Sequence, residues 1–306
     1  MNTKLISDAV SEIDIRFVDE ALNYKKPARQ TKFFRWAAIA ACVCVAMAVT
    51  IPLATRRDRI DTIGDVPILT EDGVVIPPMS VSLSSDIAAD MAAFFIYQGG
   101  CYVQYEWLDN QDIVGEYLGS STGLINEWTP KDGYVELAGN VSVDFYSVNG
   151  YDPSFMLCTK DEDGRASTYI RTTGITLKYG AEFFSDRLNI DSWQSVSYKT
   201  PESWVNGSDE VYYLNEADTA AVENFIAELN TAEFLLWSSA VERAEQAGEA
   251  ISESYNLYFE LENGMSISLR LYDSGYVHFD GMPKVCVQIP RDSCDEFIGL
   301  LDRNAD

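Results

Sequence analysis

Apolar and polar residues alternate most regularly toward the C-terminus. The stretches NLYFELE (256–262) and SISLRL (266–271) repeat every second residue, the period of a half-buried strand, and YVHF (276–279) reads as a third strand. Asn263-Gly264 and Asp273-Ser274-Gly275 separate them as turn signals, so a meander is predicted. Val285–Ile289 adds another strand. Helical spacing brackets this region. Val222, Phe225, Ile226 and Leu229 predict an amphipathic helix over 218–236, and Phe297, Leu300 and Leu301 mark the inward face of one over 292–301.

The middle of the chain is less regular. Strands are predicted at 95–97 and 101–106 around Gln98-Gly99-Gly100, and at 141–148, 155–159, 168–171 and 192–199. Turns fall at Asn149-Gly150 and Asp163-Gly164, and short helices are predicted at 113–118 and 183–188. Strands in runs, with helices set apart from them, predict an α+β fold of antiparallel sheet with helices packed on it. Two lobes, 86–200 and 201–306, are expected, with no repeat between them. Pro67, Pro77, Pro78 and the Ser-rich SVSLSS make residues 55–85 read as a linker.

The N-terminal pattern differs. Ile6, Val10, Ile13 and Phe17 follow 4-3-4 spacing and share one helical face, with Asp8, Glu12 and Asp19 mainly on the other. So short an amphipathic helix is marginal by itself and needs a partner surface. A basic linker, KKPARQTK, follows, and Pro27 ends the helix by Lys26. From Trp36 to Ala54 there is then no charge: WAAIAACVCVAMAVTIPLA. At 1.5 Å per residue this run spans about 28 Å, near the thickness of a hydrocarbon core. Lys25, Lys26, Arg29, Lys32 and Arg35 precede it, with Phe33, Phe34 and Trp36 as interfacial anchors; Arg56, Arg57 and Arg59 follow. The expectation is one transmembrane helix at 36–54, residues 1–35 cytoplasmic and the rest outside the cell membrane. A cleaved signal peptide is disfavoured by the long polar lead and the lack of a small-x-small site. Ile39-Ala40-Ala41-Cys42 looks like a lipoprotein box, but the apolar run continues past it.

Charge and cysteine content sharpen this picture. The net charge is −26 over 306 residues, yet residues 1–35 are net positive, so the remainder is more acidic still. Such a surface repels phosphates, which argues against a nucleic-acid partner. Cys42 and Cys44 lie in the apolar run; Cys101, Cys158, Cys286 and Cys294 allow three pairings into two disulfides, and the spacing does not choose.

Residues 6–24, ISDAVSEIDIRFVDEALNY, then the basic linker and RWAAIAACVCVAMAV, resemble the N-terminus of membrane-anchored anti-sigma-factor-like proteins of clostridial bacteria. IVGEYLGSSTGLINEW (113–128), ELAGNVSVDFYSVNGYDPSFMLC (136–158) and GITLKYGAEFFSDRL (174–188) are similar to the external domain of that group. The resemblance implies a cytoplasmic segment that holds a sigma factor, with Ile6, Val10, Ile13 and Phe17 as anchors, and an external domain that senses an envelope signal. The zinc-binding class of these proteins carries His-x3-Cys-x2-Cys; residues 1–35 hold neither His nor Cys, so zinc redox sensing of that kind is not expected.

No motif for enzymatic chemistry, a cofactor or a metal stands out. His278 is the only histidine; Ser274 and Cys286 are near it in sequence, but no GxSxG context accompanies them. Asp161-Glu162-Asp163-Gly164 resembles part of a calcium loop but lacks its further ligands. Nucleotide-binding glycine motifs are absent. Aromatic residues such as Tyr102, Tyr105, Trp107, Tyr146, Tyr151, Trp204, Tyr212 and Tyr213 fit a core, or a surface for glycan or peptide. The alternative to a regulator is therefore an anchored extracellular binding module with no cytoplasmic partner.

Overall fold

In the computed structural model, the described residues are 66–78 and 92–305, apart from 127, 128, 130–132, 162, 209, 249, 250, 252 and 253. The amphipathic segment with Ile6, Val10, Ile13 and Phe17, and the uncharged run 36–54, lie outside them. No helix among the described residues is long and apolar enough to cross a membrane.

The described chain runs β1 (Ile68–Thr70), β2 (Gly73–Ile76), β3 (Phe94–Tyr97), β4 (Gly100–Leu108), β5 (Val114–Ser120), β6 (Asp144–Val148), β7 (Met156–Lys160), β8 (Ala166–Ile170) and β9 (Ile175–Leu177). It continues with α1 (Ala181–Phe184), β10 (Trp193–Lys199), α2 (Pro201–Val205), β11 (Tyr212–Tyr213), α3 (Thr219–Thr231), β12 (Phe234–Leu236) and α4 (Trp237–Ala247). The meander β13 (Ser254–Leu261), β14 (Ser266–Tyr272), β15 (Tyr276–Phe279) and β16 (Val285–Gln288) follows, and α5 (Arg291–Ala305) closes the chain. Three sheets result: β1-β2-β9, a six-stranded β3-β4-β8-β7-β6-β5 and a seven-stranded β11-β10-β13-β14-β15-β16-β12. Every pairing between these strands is antiparallel, which gives the expected α+β class.

Alternation places the core. Ile267, Leu269 and Leu271 of β14 are fully buried on one face, as are Leu257 and Phe259 of β13. Helices α3 and α5 cover that face, where Phe225 stacks on Phe297 with ring centroids 4.5 Å apart and lies 6.2 Å from Phe259. An Asn215/Asp218 capping box sets the turn that leads into α3. Gly275 makes the β14–β15 turn at φ +83°; a Cβ there would meet the Ile289 carbonyl oxygen at 2.8 Å.

The structure departs from the sequence expectation in four places. Residues 113–118, expected to be helical, are mostly strand: a 3-10 turn at Gln111–Ile113 leads into β5, which pairs with β6. Gly115 and Gly119 weaken a helix there, and the ladder to β6 satisfies the backbone instead. The helix expected over 218–236 stops at Thr231, because buried Phe234 pairs with Val287 and turns 234–236 into the edge strand β12. Helix α4 has no counterpart in the sequence expectation. In addition, β1 and β2 lie in the stretch expected to be linker.

Residues on both sides of position 200 share one core. Phe183 is fully buried and touches Phe155, Phe184, Phe234 and Phe279 at centroid distances of 5.4–6.3 Å. β10, before position 200, pairs with β13 in the seven-stranded sheet. A register shift between Gln104 and Glu106 bends β4 toward the end of β14. The Tyr105 hydroxyl donates to the Ser266 carbonyl (2.8 Å) and accepts the Ser268 N–H (3.3 Å), while Glu106 Oε2 accepts the Ser266 N–H (2.9 Å). Asn110 Nδ2 donates to the Asn263 carbonyl at 3.0 Å.

Candidate functional site

The seven-stranded sheet buries one face under α3 and α5. Its other face carries the polar half of each alternating strand, and one row across it collects unusual groups. Lys199, Asn256, Arg270 and His278 are successive cross-strand neighbours on β10, β13, β14 and β15. Asn256 is 1% exposed and His278 7% exposed. Neither Asn256 Nδ2 nor His278 Nδ1 has a hydrogen-bond partner. Buried polar atoms without partners are uncommon, because each forfeits its hydration. Lys199 is engaged, donating to the Ser208 carbonyl at 3.1 Å.

A polar group and an aromatic wall flank this row. Arg270 Nε donates to Asp280 Oδ1 at 2.8 Å, and the Ser268 hydroxyl donates to Asp280 Oδ2 at 2.6 Å. The two charged side chains are about one-third exposed, 33% and 35%. On the other side stand Trp237, at the start of α4, and Tyr272. Their rings lie 5.0 Å apart, and the His278 ring is edge-on to both at 5.2 and 5.6 Å. Tyr276 and Cys286 continue the face beneath α4, packed with Ala240.

Burial dominates the electrostatics of this face. Burial holds the His278 imidazole below its usual pKa; Asp280 pulls it back up and Arg270 pushes it further down. Burial raises the Cys286 thiol to about 12, so it stays protonated at neutral pH. The Ser274 hydroxyl and His278 Nδ1 are buried, and neither has a hydrogen-bond partner. The spacing of His278, Ser274 and Cys286 in sequence therefore does not become a nucleophile–base pair in space.

The remaining sequence candidates fall elsewhere. Asp161 and Gly164 form the β7–β8 turn: the Asp161 carboxylate accepts the Arg165 N–H at 2.7 Å, and Gly164 has φ +85°. Among the described residues no group of three or more His, Cys, Asp or Glu side chains is placed to hold a metal ion. Cys101, Cys158, Cys286 and Cys294 are free thiols. Tyr102 is fully buried, and Tyr105, Tyr146, Tyr151 and Tyr212 pack against the main core. Trp107 and Tyr213 are exposed; Arg165 lies 5.7 Å over the Trp107 ring. The Trp237–Tyr272 wall was not singled out by the sequence reading. Its signal was the alternation of β14, which puts Arg270 and Tyr272 on the side opposite Leu269 and Leu271. No family model matches the chain, and comparison with curated proteins and with solved structures finds no similar one.

Proposed function

We propose that this chain is a single-pass membrane regulator of the anti-sigma type. Residues 1–35 lie in the cytoplasm and hold a sigma factor through Ile6, Val10, Ile13 and Phe17. Residues 36–54 cross the membrane. The folded unit lies outside and receives an envelope signal. The observation that carries this reading is the order of segments: an amphipathic stretch and basic linker, nineteen uncharged residues, then an acidic domain that is already folded by residue 68. The resemblance of the N-terminal segment supplies the class of partner. No cofactor enters this function, and neither nucleic acid nor catalysis does.

The test is capture from a host lysate by the detergent-solubilised chain beside its Ile13→Asp, Phe17→Asp variant. Retention of a sigma factor by the native chain and its loss by the variant is the expected result. Equal recovery from both overturns the cytoplasmic half of the reading. The second reading, an anchored extracellular module for glycan or peptide with no cytoplasmic partner, then takes its place. It is supported by the unpartnered Asn256 and His278 atoms beside Trp237 and Tyr272.

A further inference from the structure

The row Asn256–Arg270–His278 has the composition of a small-ligand site rather than of an ordinary sheet surface. Two side chains more than nine-tenths buried, Asn256 and His278, flank Arg270 on adjacent strands, and each keeps one polar atom without a partner. Asn256 Nδ2 only donates. Nδ1 of a neutral imidazole donates or accepts according to tautomer. A hydroxyl serves both, since it accepts from one and matches either state of the other.

Charge narrows the class. Arg270 is neutralised by Asp280, and Lys199, the row's other cation, is turned to the Ser208 carbonyl. The chain as a whole carries −26, which repels anions. A cation would meet Arg270 at the same carboxylate. Trp237 and Tyr272 add two aromatic surfaces 5.0 Å apart, inclined by 40°. Such faces suit weakly polarised C–H groups. An uncharged ring with hydroxyls at its edge and C–H groups on its faces satisfies all of these at once.

We propose that the face formed by Asn256, Arg270, His278, Asp280, Trp237 and Tyr272 binds an uncharged sugar residue, with ring C–H groups against Trp237 and Tyr272 and hydroxyls on Asn256 and His278. Both polar atoms are covered in this structure, so binding requires Arg270 and Tyr272 to change rotamer, as side chains commonly do at binding surfaces. This names a ligand for the sensing half of the function above and rests on that half alone. The capture experiment reads residues 1–35 and is blind to this face, so the two fail separately.

His278 is the sole histidine, so its ring signals in the carbon-13 histidine-labelled full-length protein need no assignment. The titrants are chitotetraose, cellotetraose and, for comparison, tetra-alanine. The expected result is a saturable shift of the His278 signals with at least one sugar and none with the peptide. Asp280→Asn and Trp237→Leu each weaken that binding at least tenfold; Asp280 is at the surface, so its variant remains informative if Trp237→Leu fails to fold. Silence to both sugars up to about 10 mM, well above the millimolar affinity expected of a shallow site, overturns the proposal. So does an equal response to tetra-alanine, which assigns the face to peptide, or undiminished sugar binding in Asp280→Asn.

Discussion

Replacing Glu106 with glutamine should stabilise the protein at pH 8 and do little at pH 5. Glu106 sits where β4 meets the free end of β14, and burial raises its carboxyl from 4.5 to about 7; the Ser266 N–H opposes that rise and Glu260 adds to it. A carboxyl whose folded pKa is raised binds its proton more tightly in the native state. Its contribution to stability is complete below the unfolded value and is lost as pH rises through about 7. Holding it ionised at pH 8 costs at most about 3 kcal/mol from the size of the shift. The side chain is only partly buried, so solvent screening reduces that to about 1–2 kcal/mol. Glutamine keeps an oxygen to accept the Ser266 N–H and carries no charge, so Glu106→Gln recovers this cost. At pH 5 the native carboxyl is already protonated, and the gain falls below about 0.5 kcal/mol. Urea unfolding of both proteins at the two pH values measures the difference. An equal effect at both, or a net loss of stability at pH 8, refutes the account of Glu106 as a carboxylate desolvated at this junction.

Three further outcomes follow from the same structure. Phe183→Ala removes the ring shared by Phe155, Phe184, Phe234 and Phe279, and should cost about 3–5 kcal/mol in urea unfolding; a loss below about 1 kcal/mol would contradict a core continuous across position 200. The His278 imidazole should titrate below 6.5 by NMR, and because its folded pKa is depressed, the stability of its neutral form is lost as pH falls through that midpoint; a midpoint at or above 6.5 refutes its burial. Cys101, Cys158, Cys286 and Cys294, with thiols raised to about 11–12, should resist iodoacetamide at pH 8 in the native protein and react after urea. Peptide mapping checks this, and native labelling of any of the four contradicts it.

The meander β13–β15 was legible because alternation in β14 and most of β13, and two Gly turns, act locally: each residue's face follows from its parity once the strand forms. Helices α3 and α5 were legible from the 3-4 spacing of Val222, Phe225, Ile226 and Leu229, and of Phe297 with Leu300 and Leu301. Where local preference was weak, pairing partners distant in sequence took over. Gly115 and Gly119 gave residues 113–118 no firm choice, and β6 drew them into a sheet. Phe234 left a helical pattern because Val287 offered a buried ladder position more than fifty residues away. Helix α4 shows only Ala240 and Ala244 as buried residues, too small a stripe to stand out in the sequence.

The candidate site divides in the same way. Sequence alone marked His278 as the only histidine and placed it on a strand, with Arg270 one strand before it. It also separated an amphipathic N-terminal segment, an uncharged run and an acidic folded region, since composition and periodicity are local properties. Only the tertiary structure set Asn256, Arg270 and His278 in one row, brought Trp237 beside them and left two buried polar atoms without partners. Those relations depend on cross-strand register and on where α4 lands, and both are fixed by packing between residues far apart in the chain.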